Sequence, residues 1–61
     1  MKRCVKDISF LQTFEYEGET WYRGYEDKDC ISCFTVAEDE KGFAKRRTML
    51  KKDTKVEINY F

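Results

Sequence analysis

Sixty-one residues with 12 basic and 12 acidic side chains, no histidine and no proline allow one domain with one small core. A core of this size hardly frames the roughly 300 Å³ cleft that catalysis uses, and no apolar run approaches the ~20 residues that cross a bilayer. These limits predict a non-enzymatic, cofactor-free protein, a single small domain over residues 1–61 with no membrane segment.

The opening "MKRCVKDISF" lacks the apolar stretch of a secretory signal because Lys6 and Asp7 interrupt it, so a cytoplasmic location is expected. "ISFLQTFEY" reads as a first strand, "EGE" as a tight turn with Gly18 supplying positive φ, and "TWYRGYE" as the second strand of a hairpin. After the polar break "EDKD", "CISCFTVAE" is a third strand. "DEKG" turns the chain, with Gly42 expected in the left-handed region, into a fourth strand, "FAKRRTML". A short helix near Lys45 to Lys52 is the weaker alternative, because Gly42 interrupts the only stretch of helix-forming composition. In the last segment Val56, Ile58 and Tyr60 alternate with Glu57 and Asn59, the period-two signature of a half-buried strand.

The fold class expected from this cadence is all-β: a five-stranded antiparallel meander curled into a partly open barrel. A short 3-10 turn at "LKKDT" precedes the last strand, and the core holds Ile8, Phe10, Trp21, Phe34, Val36, Val56 and Ile58. That pattern resembles Src-homology-3-like (SH3-like) small barrels, although the "ALYDY"-type residues and fourth-strand proline of the eukaryotic signalling modules are missing. "FEYEGETWYRGYEDKDCISCFTV" with "DTKVEI" is also similar to small barrels encoded by bacteriophages and other mobile elements. The resemblance implies an accessory protein that binds or inhibits a host factor.

Cys30 and Cys33 form a Cys-x-x-Cys, and three cysteines without histidine fit reduced thiols better than a disulfide framework. In a strand the two point to opposite faces, so they cannot grip one zinc ion, and only Cys4 could add a third ligand. Redox chemistry would want a helix N-terminus to lower the thiol pKa. The cysteines are therefore expected to pack, and no metal site is assigned.

Zero net charge hides an acidic stretch from Asp7 to Glu40 followed by a basic one from Lys41 to Lys55. Tyr16, Trp21, Tyr22 and Tyr25, with Glu15, Glu17 and Glu19 around the first hairpin, have the composition of a protein-binding surface in which rigid aromatics anchor and charges steer. The competing expectation is that Trp21 and its neighbours are core. Lys45, Arg46, Arg47, Lys51 and Lys52, beside aromatics such as Phe43, are the ingredients of a single-stranded nucleic-acid groove, which makes nucleic-acid binding the alternative to an unidentified protein partner. Paired-carboxylate catalysis finds no support, because Glu15, Glu17 and Glu19 line a hairpin tip open to water.

Overall fold

A computed structural model describes residues 1–58. It comprises β1 (Lys2–Cys4), a 3-10 turn (Val5–Asp7), β2 (Thr13–Tyr16), β3 (Glu19–Glu26), β4 (Cys30–Thr35), β5 (Arg47–Lys51) and β6 (Lys55–Ile58). All six strands join one antiparallel sheet in the order β1-β6-β2-β3-β4-β5. No helix among the described residues is long and apolar enough to cross a membrane.

The order forces the sheet to curl. Laid flat, four inter-strand steps would separate β5 from β6 by about 19 Å, yet the link through Lys52, Asp53 and Thr54 spans at most about 14 Å. Backbone bonds tie this link to both flanks: Val5 N–H donates to Thr54 O (2.8 Å), Lys6 N–H to Lys52 O (3.2 Å) and Lys52 N–H to Asp29 O (3.2 Å). The edge strands β1 and β5 do not pair, so the sheet is curled but open.

Several expectations change. Among the described residues there are six strands rather than five: β1 is not legible in the sequence because exposed Lys2 and Arg3 give it no apolar alternation, and β6 inserts between β1 and β2 instead of completing a meander. The 3-10 turn follows β1, where it seats fully buried Val5, while β5 reaches β6 by a turn closed by Thr54 N–H donating to Lys51 O (2.9 Å). The stretch from Ile8 to Gln12 is not strand: Leu11 has φ 65°, and its N–H donates to Arg23 O, which also leaves Arg23 N–H to donate to Gln12 O. Residues 47–51 are strand, not helix. Tyr60 lies outside the described residues.

The turns form where local chemistry demands them. Glu17 (φ 51°) and Gly18 (φ 76°) both take the left-handed conformation of a two-residue type I′ turn joining Tyr16 to its partner Glu19. Gly42 is left-handed at φ 84°, and the Asp39 carboxylate accepts the N–H groups of Lys41 (2.8 Å) and Phe43 (3.0 Å), closing the tip of the β4–β5 loop.

The core is Val5, Ile8, Phe14, Trp21, Ile31, Cys33, Leu50, Val56 and Ile58, with Tyr16 packed against it. Expected members Ile8, Trp21, Val56 and Ile58 are there, but Phe10 and Val36 are exposed and Phe34 is half-buried. β4 alternates as a strand must, yet its inward residues are Ile31, Cys33 and Thr35. Both faces of this strand carry apolar side chains, so alternation alone leaves open which one turns inward. Thr35 is buried because its hydroxyl is fully used: it accepts Arg46 N–H (3.0 Å) and donates to Ala37 O (3.0 Å).

Candidate protein-binding surface

The outer face of β3, β4 and β5 is assembled by register. Tyr22 lies opposite Phe34, which lies opposite Arg47, and Ser32 lies opposite Met49. Between Arg23 and Glu26 the β3–β4 register slips by one residue, a bulge in which Gly24 and Tyr25 share the place opposite Ser32. The Ser32 hydroxyl accepts Tyr25 N–H (3.0 Å) and donates to Tyr25 O (3.3 Å), serving the peptide groups that the ladder leaves at the bulge.

Without the bulge Tyr25 would follow Trp21 and Arg23 inward; the slip turns it out to the Tyr22 side. Tyr25 is 72% exposed. Its ring meets Phe10 at a centroid distance of 5.2 Å, and Tyr22 meets Phe34 at 5.5 Å. The folded-back tip of the β4–β5 loop brings in Phe43, 57% exposed, beside Met49, 53% exposed. Tyr25, Phe34, Phe43, Ala44, Arg47 and Met49 line an open groove of about 600 Å³. Outward apolar side chains from β3, β4, β5 and the β4–β5 loop are thereby gathered on one face.

The aromatic–acidic set expected around the first hairpin does not come together. Trp21 is 2% exposed and donates its indole N–H to Tyr16 O (2.9 Å), so it is a core residue and not a surface anchor. Tyr16 is half-buried; burial first, then the hydrogen bond and charge of Glu17, pushes its phenol pKa up. Glu15 accepts the Thr20 hydroxyl (2.7 Å), Glu17 forms the turn, and Glu19 holds Arg46 at 2.7 Å. These carboxylates sit at or near the hairpin tip, whereas Tyr25 lies six residues along β3 from Glu19, about 20 Å away. Of the expected anchors, Tyr25 lines the groove and Tyr22 stands beside it on the same outer face, against Phe34.

The basic set is likewise divided. Arg46 pairs with Glu19 and stacks its guanidinium over Trp21, 5.8 Å from the ring centroid, while Lys52 pairs with Glu26 at 3.6 Å. Lys45 is exposed at the loop, its N–H bonded to Ala37 O. Arg47 and Lys51 project outward from β5 on either side of Met49. No continuous cationic groove joins the five.

Cys30 and Cys33 take opposite faces of β4; Cys30 is half-buried and Cys33 is 1% exposed. All three thiols are free, and no group of three or more metal-ligating side chains forms among the described residues. Burial pushes the Cys33 thiol pKa up, against smaller opposing effects of the Gly24 backbone and the Arg23 charge. Arg23 reaches inward beside Cys33, bonding Gly24 O (2.8 Å) and Glu26 (3.3 Å), while its Nε has no partner among the described residues.

Phe10 and Met49 belong to this surface although the sequence pattern does not mark them, and Phe43 joins it instead of a basic groove. Gly24 within an otherwise aromatic strand was the available signal, since an isolated strand glycine marks a bulge. Comparisons with protein-family models, with curated proteins and with solved structures each gave no match.

Proposed function

We propose that the protein is a non-catalytic protein-binding module, built on a curled sheet of the SH3-like small-barrel kind, that binds its partner through the outer face of β3, β4 and β5. The observation that carries this reading is the run of exposed apolar side chains Phe10, Tyr25, Phe43 and Met49 around the groove. Aromatic residues of limited flexibility supply large contact area at small entropic cost, and truncating one at the centre of an interface costs on the order of 2 kcal/mol of binding. The three-residue link between β5 and β6, which curls the sheet, supports the barrel-like part of the proposal.

The test is recovery of a partner from cell extract with the wild-type chain, a Tyr25→Ser/Phe43→Ser variant and Arg46→Ala, each confirmed as folded. Binding of one stoichiometric protein, insensitive to nuclease and lost only in the groove variant, is the expected result. Retention on single-stranded DNA or RNA that weakens steeply with salt, and that falls in Arg47→Ala and Lys51→Ala, would replace it with the nucleic-acid reading.

A further inference from the structure

β5 is an outer strand of the sheet, and bonds at its two ends set its hydrogen-bonding phase. Thr35 N–H donates to Arg46 O (3.0 Å) and Lys52 N–H to Asp29 O (3.2 Å). With Cys33 opposite Thr48 and Ile31 opposite Leu50, these bonds make Thr48 and Leu50 the residues whose peptide groups face β4. The N–H and C=O groups of Arg47 and Met49 therefore point to the open edge, where no strand among the described residues meets them. The same residues carry the outward side chains: Arg47, Met49 and Lys51 alternate along the strand, and Met49 lies in the groove with Phe34 and Phe43. Neither Arg47 nor Lys51 forms an ion pair with a described residue.

We infer that the open edge of β5 receives an extended segment of a partner protein as a seventh strand, and that this segment carries an apolar residue between two acidic ones, in the order acid-x-apolar-x-acid. The inference rests on the protein-binding reading and specifies its partner. Main-chain bonds to Arg47 and Met49 supply affinity in such strand addition, and side chains on alternate positions supply choice. Residues opposite Arg47, Met49 and Lys51 fall on the groove side, so the apolar residue meets Met49 and the acids meet the two cations. The pattern reads the same in both directions and does not depend on the polarity of the incoming strand.

A second copy of this chain fits poorly. Antiparallel pairing of two β5 strands about Met49 places Arg47 of each copy opposite Lys51 of the other; of the two neighbouring registers, one places Lys51 opposite Lys45, and the other leaves only Met49 and Lys51 to pair because β5 ends at Lys51 and Asp53 lies in the turn beyond it. Like charges directly opposite are destabilising. The cations that discourage self-pairing at this edge are the ones that attract an acidic strand.

Amide-resolved nuclear magnetic resonance of the full chain tests the inference with two synthetic peptides, acetyl-SGETFTEGS-amide and its charge-reversed form acetyl-SGKTFTKGS-amide. The expected result is saturable binding in which the Arg47 and Met49 amide protons move downfield, with the acidic peptide at least tenfold tighter. In Arg47→Glu/Lys51→Glu the preference should invert. These side chains are exposed, and Arg47→Gln/Lys51→Gln, expected to abolish the preference, serves if the reversal disturbs the fold. Shifts confined to Tyr25 and Phe43, with the Arg47 and Met49 amides unmoved at saturation, would overturn strand addition while leaving the protein-binding reading intact. Equal binding of the two peptides, binding of neither at millimolar concentration, or concentration-dependent shifts of these amides without peptide would overturn it as well.

Discussion

Gly24→Ala isolates the bulge that turns Tyr25 outward. A Cβ at this position would lie 2.5 Å from the Ser32 carbonyl oxygen, 3.0 Å from the Ser32 hydroxyl and 3.2 Å from Phe34 Cε1. The first of these neighbours is backbone, so a rotamer change cannot relieve the clash and β4 must move away from β3. Overpacking of this kind costs about 1–3 kcal/mol, and loss of the Ser32 bridge to Tyr25 adds about 1 kcal/mol. Alanine recovers roughly 0.5–1 kcal/mol by restricting the unfolded chain. The net destabilisation is about 2 kcal/mol, which in a domain of this size lowers the midpoint of thermal unfolding by on the order of 10 °C. Circular dichroism melts of Gly24→Ala beside Gly18→Ala measure it. Gly18 has φ 76° with nothing within 4 Å, so its variant carries only a left-handed backbone penalty of about 1 kcal/mol. If Gly24→Ala melts with or above Gly18→Ala, the close approach of the two strands at the bulge is not as described. A folded Gly24→Ala should also lose partner binding, because β3 without its slip carries Tyr25 elsewhere.

Thr35→Val keeps the side-chain shape but leaves Arg46 N–H without its acceptor in a buried place, so denaturant unfolding should show a loss of about 1–3 kcal/mol. Phe14→Ala should cost about 3–5 kcal/mol and leave the small domain largely unfolded by circular dichroism, whereas Phe10→Ala should cost under about 1 kcal/mol; similar losses would refute the core described above. A thiol-reactive dye should label Cys4 and Cys30 readily and Cys33 only as the protein unfolds, following their exposures. Because burial raises the folded-state pKa of Cys33, the native chain holds its proton more tightly than the unfolded one, whose thiol has the ordinary value of 9.0. That contribution to stability is complete below pH 9.0 and is lost as pH rises through the higher folded value. Denaturation midpoints should fall over that range in the wild type and fall less in Cys33→Ala, which itself costs about 1 kcal/mol of packing.

The residues that could be placed from sequence are those whose structural cause is local. Gly18 and Gly42 occupy turns that need positive φ, and β4 and β6 alternate because a strand turns successive side chains to opposite faces. The same alternation separates Cys30 from Cys33. The aromatic richness of β3 marked Tyr22 and Tyr25 for a surface role that their positions allow, but the rest of the surface was not legible. Ile31 and Phe34 are both apolar, so which face of β4 turns inward was decided by what Trp21, Phe14 and Leu50 present across the core. A one-residue slip at Gly24, specified by the approach of Ser32 from another strand, moved Tyr25 from the Trp21 side to the groove. Arg46 reads as part of a basic run, yet its partners Glu19 and Trp21 lie more than twenty residues away in the chain and meet it only once β3, β4 and β5 are side by side. β1 has no pattern of its own and exists because β6 offers it an edge, and the place of β6 between β1 and β2 follows from the short link that curls the sheet. Period and turn chemistry act over a few residues and are written in the sequence; the phase of a two-sided strand, the register across a bulge and the choice of edge depend on which surfaces meet, and the tertiary structure alone decides them.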